Sequence, residues 1–90
     1  MSHNQGVLRG FAEVLEAAIT AALEAGKKKV EVEAPFVGGS SRPAIVVMSR
    51  VLKEEFAHLD RVMYTDEYAE GESFTLIISW EGEKATEERG

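Results

Sequence analysis

At Gly26 the spacing of apolar residues changes, and that change limits what this chain can fold into. Upstream, Val7, Phe11, Val14, Leu15, Ala18, Ile19, Ala22 and Leu23 recur at steps of three and four. They make one apolar stripe on a helix over about Leu8 to Ala25. Alanines raise its helix propensity, and Gly26 stands where a left-handed C-terminal cap is expected. Downstream, Val30-Glu31-Val32-Glu33-Ala34 alternates strictly, the two-residue period of a strand with Val30, Val32 and Ala34 facing inward. A one-striped helix and a one-sided strand must each bury an apolar face, so the chain has to form layers. With no cysteine, those layers are held by burial, and thiolate metal sites and cysteine nucleophiles are excluded.

The alternation stops at Pro35. Residues Phe36 to Pro43 read as a loop, and serines just before Pro43 mark the start of a second helix, about Ala44 to His58. Its apolar face is Ala44, Ile45, Val47, Met48, Val51, Leu52, Phe56 and Leu59. Two strands follow, about Arg61 to Thr65 and Ser73 to Trp80, joined by an acidic hairpin loop from Asp66 to Glu72. In the last strand Phe74, Leu76, Ile78 and Trp80 share one face, with Thr75, Ile77 and Ser79 on the other.

The expected fold class is therefore α+β, a two-layer sandwich in the order α-β-α-β-β. Both helices lie on one face of a mixed three- to four-stranded sheet. The crossover makes the first two strands parallel and the hairpin makes the last two antiparallel. A short extra strand around Gln5 to Leu8 would supply the fourth. Ninety residues make a single domain, 1–90, with an ordered core of about 7–80 between polar tails 1–5 and 82–90.

The net charge of -6 is uneven. Met1 to Val62 carries eight basic and eight acidic residues, whereas Met63 to Gly90 carries two basic and eight acidic. The first two-thirds can thus host a local basic patch. No apolar run approaches the ~20 residues of a membrane span, and the polar start is not a signal peptide, so a cytoplasmic protein is expected.

Several segments, taken in order, resemble the Alba family of archaeal chromatin and RNA-binding proteins. They are the Ala-rich helix closing at Gly26, the strand Lys29-Val30-Glu31-Val32-Glu33-Ala34 and the loop Gly38-Gly39-Ser40-Ser41-Arg42. A helix ending at Phe56 and a hairpin follow. That family's fold is close to the C-terminal domain of translation initiation factor three, and the resemblance covers about Arg9 to Trp80. It implies a dimer that meets nucleic acid through the lead-in to the first helix, the loop before the second and the hairpin. By position those are Arg9, then Arg42 with its glycine loop, then the hairpin. The chain departs from the family in having one Arg where a lysine pair is usual, a weak first strand and an acidic hairpin.

The residues also suggest sites on their own account. In Gly38-Gly39-Ser40-Ser41-Arg42, glycines let the backbone approach an anion, and Arg42 would grip it bidentately. The simpler account, a turn plus a serine cap, is favoured. Lys27, Lys28 and Lys29 suit phosphate, although a helix-end charge feature is again the favoured account. Arg50 would extend the set.

His3 and His58 lack metal-ligand spacing, and Asp66, Glu67, Glu70 and Glu72 lack the calcium-loop pattern. No metal, cofactor or catalytic grouping is expected, and the chain does not read as an enzyme. Val46, Ile77 and either Met63 or Tyr64 are surplus apolar residues that suggest a protein interface if they cluster, and Tyr68 in the acidic hairpin is a further interface candidate. The expectation is a non-enzymatic binding module, led by an Alba-like nucleic-acid-associated homodimer. The alternative is a small acidic regulator or inhibitor, host- or phage-encoded, that docks its acidic hairpin on a basic protein surface.

Overall fold

The computed structural model describes residues 3–68, 71 and 73–83, with side chains from Gly6 onward. Helix α1 (His3–Glu24) begins before its apolar stripe does and takes in residues 5–8, so the extra N-terminal strand does not form. It closes as the sequence implies. Gly26 takes φ 75°, its N–H donates to the Leu23 carbonyl at 3.0 Å, and the Lys27 N–H donates to that of Ala22 at 2.8 Å. That bond pair is the Schellman arrangement, which answers two of the last free helix carbonyls.

Then come β1 (Lys29–Pro35), α2 (Arg42–Glu55), β2 (Leu59–Asp60), β3 (Met63–Tyr68), β4 (Ser73–Ser79) and β5 (Gly82–Glu83). The order α-β-α-β-β holds, with two short strands added. The main sheet has the order β1-β4-β3. The crossover leaves β1 and β3 running the same way, but β4 lies between them, so every pairing is antiparallel and the sheet is not mixed. Centrality suits β4, whose Phe74, Leu76 and Ile78 are at most 2% exposed. The expected tail from residue 82 also contributes structure, since β5 pairs with β2 through Leu59↔Glu83 and Asp60↔Gly82. The remaining tail residues, 1–2 and 84–90, and the side chains of residues 3–5, His3 included, lie outside the described residues.

Phe11, Leu15, Ile19 and Ala22 of α1 and Ala44, Met48 and Val51 of α2 pack on Val32, Ala34, Phe74, Leu76 and Ile78 of the sheet. Phe56, Leu59 and Trp80 complete one continuous core. Each fully buried Leu, Ile or Met contributes roughly 1.5–3 kcal/mol. Val14 is the exception in the helix stripe, at 56% exposed. It leans out above β1, which is an edge strand with no neighbour on that side for Val14 to cover. Glu31, Glu33, Thr75, Ile77 and Ser79 form the open sheet face, joined in register by Thr65 and Glu67 of β3.

Candidate binding surface

The glycine loop is built by its own hydrogen bonds. Gly38 and Gly39 take φ 62° and 75°. Val37 and Ser40 exchange N–H to carbonyl bonds of 3.0 and 3.1 Å. Two left-handed residues inside such an exchange define a type I′ hairpin turn, which glycine adopts at little cost. The N–H of Arg42 donates to Ser40 Oγ at 3.1 Å, and Pro43 has no N–H. Two donors of the supposed anion cradle, the N–H groups of Ser40 and Arg42, are therefore already engaged within the loop.

Capping differs from the sequence expectation as well. Ser41 is the N-cap residue, yet its backbone is helical and its side chain makes no cap bond. Its hydroxyl meets the Tyr68 hydroxyl at 3.0 Å instead. The Tyr68 hydroxyl also lies 2.8 Å from Asp66 Oδ2. A phenol has one proton, and an ionised carboxylate can only accept. Tyr68 thus donates to Asp66, and Ser41 donates to Tyr68.

The strand β3 runs further than its sequence suggests, so Asp66, Glu67 and Tyr68 belong to it rather than to a hairpin loop. Of that loop only Gly71 is described; Glu70 and Glu72 lie outside the described residues. Register puts Tyr64, Asp66 and Tyr68 opposite Ile78, Leu76 and Phe74, on the side of the sheet that carries the helices. The helical roof stops short of them: β4's inward residues are buried, whereas Tyr64 is 44% and Tyr68 56% exposed. One rim of Tyr68 is braced, by stacking on Phe36 at 6.0 Å and on Phe74 at 5.3 Å between ring centroids. Met63, facing the other way, is 62% exposed. Sequence reading named Tyr64 only as the alternative to Met63 and placed Asp66 in the hairpin loop, so it did not join them with Tyr68 into one row, although Tyr64 and Tyr68 share the parity that a strand continued to Tyr68 would give them.

The basic residues do not converge. Arg9 and Arg42 are exposed near the end of the fold where β1 finishes, beside the β3–β4 hairpin. Lys27, Lys28 and Lys29 are exposed at the other end, about 20 Å away along β1 at strand rise. There they share shallow depressions with Glu31, Trp80 and Glu83. Arg50 is exposed on α2, about 12 Å along the helix from Arg42.

The interface candidates Val46, Tyr68 and Ile77 also separate. Val46 is on α2 at 48% exposed. Tyr68 is on the helix side of the sheet, and Ile77 is half-buried on the open side. His58 lies beyond the end of α2, with Nε2 3.5 Å from a Glu83 carboxylate oxygen.

A shallow depression of about 510 Å³ between α1 and β1 contains one carboxylate, Glu33, which accepts a hydrogen bond from Ser73 Oγ. Among the described residues no group of three or more His, Cys, Asp or Glu is placed to hold a metal ion. Among the described residues no helix is long and apolar enough to cross a membrane. Comparison with family models, curated proteins and solved structures finds no match to the chain.

Proposed function

We propose that this chain is a binding module, not an enzyme, and that it recognises a protein partner through β3. One observation carries the reading. Tyr64, Asp66, Glu67 and Tyr68 stand together on an uncovered strand, whereas the cationic residues are divided between opposite ends of the fold. Exposed tyrosines beside carboxylates suit a basic protein surface, because the rings supply area at low entropic cost and the charges steer encounter. A photo-crosslinking residue at position 68, with one at position 28 as control, tests this in lysate from the native source. The expected result is a specific adduct from 68, absent from 28 and resistant to nuclease. No adduct from 68 refutes the reading.

A second reading is the Alba-like, nucleic-acid-associated homodimer. What favours it is that Arg9, the Arg42 loop and the β3–β4 hairpin, the positions that match that family's three contact surfaces, lie at one end of the fold. Titration with RNA and duplex DNA at low salt discriminates. This reading requires saturable binding that falls steeply with added salt, because each phosphate contact releases counterions. It is refuted by no binding at tens of micromolar protein.

A further inference from the structure

We infer that β3 takes an extended, basic segment of its partner as an added strand on its free edge. This rests on the protein-binding reading above and names how the partner is held. A strand edge presents main-chain donors and acceptors to any passing chain, and folded proteins normally blunt it with charged side chains, lysine above all, with inward-pointing charges, proline, a bulge or a covering element. On β3 the charges are two carboxylates, Asp66 and Glu67, which repel acidic strands and leave the edge open to basic ones.

The two edges of this sheet differ in that respect. On β1 the outward residues begin Lys29, Glu31, Glu33 and end at Pro35, which has no N–H, while α1 packs over its inward side. On β3 there is no lysine, arginine or proline, and Met63 to Tyr68 pair with Ser79 to Phe74 in unbroken register, without a bulge. Among the described residues no main-chain group of β3 bonds outside the sheet. Five of its six residues are exposed, and the sixth, Asp66, is half-buried.

The charge pattern selects the occupant. Asp66 lies on the helix side and Glu67 on the open side, so a strand laid along β3 meets one carboxylate on each face. Two adjacent basic residues answer both, because neighbours in a strand point to opposite faces. Flanking apolar residues then fall against Tyr64 and Tyr68 on one face and Met63 on the other. A second copy of this chain fits worse, since it sets Asp66 and Glu67 of both molecules along one junction. Strand addition draws affinity from the main chain and specificity from the alternate side chains.

The test uses the full chain, isotopically labelled, and a short capped peptide of alternating Val and Thr with an Arg-Lys pair at its centre. Saturable binding is expected, with amide-exchange protection gained at every second residue of β3. A peptide with a Glu-Asp pair should not bind. N-methylation of alternate peptide amides should abolish binding for one of the two sets. Glu67→Lys, at an exposed position, should leave the circular dichroism unchanged and weaken the basic peptide by roughly fivefold at low salt.

No saturable binding overturns the proposal. So does protection without alternation, which marks charge adsorption, or dimerisation through β3 with no peptide bound. If position 68 still crosslinks to a partner while the peptide fails, strand addition alone is wrong. If neither occurs, the protein-binding reading falls with it.

Discussion

Replacing Gly39 by Ala should destabilise the protein for a reason confined to the backbone. The residue has φ 75° and its neighbour Gly38 has φ 62°, while a Cβ built at either meets nothing within 4 Å. Steric clash is therefore absent, and the effect isolates the left-handed conformation, which costs an L-residue about 1–2 kcal/mol. Alanine also restricts the unfolded chain, offsetting about 0.4–1 kcal/mol. The net loss is about 0.5–1.5 kcal/mol, and each 1 kcal/mol lowers the melting temperature of a domain this size by roughly 4–8 °C. Urea unfolding should show a lower midpoint at unchanged slope.

Asn, which tolerates this conformation, should lose much less. D-Ala, introduced by semisynthesis, should be neutral or stabilising by up to about 1 kcal/mol, because positive φ is its natural region. If D-Ala costs as much as L-Ala, the turn argument is refuted and something other than φ selects glycine. If the glycines also admit an anion, L-Ala should reduce anion affinity in addition to stability.

Leu76→Ala, at a fully buried central-strand position, should cost about 2–5 kcal/mol, whereas Ile77→Ala on the open face should cost under about 1.5 kcal/mol. Equal losses in denaturant unfolding would contradict the face assignment. Ser40→Ala should cost about 0.5–1 kcal/mol through its bond to the Arg42 N–H, and Ser41→Ala less, since its hydroxyl meets only the exposed Tyr68. The reverse order in melting temperature would restore Ser41 as the cap. Arg61 is, among the described residues, the non-glycine residue at positive φ, 55°, and its contact with Glu81 is between exposed side chains. Arg61→Gly should therefore raise stability by a few tenths to about 1 kcal/mol in thermal melts; a loss would show that the ion pair outweighs backbone strain.

Features decided by neighbours in sequence were legible. The stripe of α1, the cap at Gly26 and the alternation in β1 and β4 each depend on a local period or one backbone angle. Even within them, what lay beneath a residue was hidden: Val14 obeys the helical period but overhangs an edge strand. The ends of β3 were harder to place, because Asp, Glu and Tyr between a strand and a glycine read as turn residues. The chain continues as strand there because Tyr68 pairs with Phe74 across the hairpin and also gains a ring contact with Phe36, which is far from it in sequence.

The candidate surface follows from strand order, and strand order is not a property of any segment. Had the crossover strand paired directly with β3, as the α-β-α-β-β reading suggested, β4 would have become an edge. Its inward Phe74, Leu76 and Ile78 would then have lain at the margin of the helical layer. Insertion of β4 at the centre buries those three residues and moves β3 outward to the margin of the helical layer, which meets Tyr68 at Ser41. The same step converts Tyr64, Asp66 and Tyr68 from prospective core positions into a row that solvent reaches. Burial of the most apolar strand thus leaves a strand of mixed aromatic and acidic residues exposed. The residues proposed to bind are those for which the core, once filled, has no place.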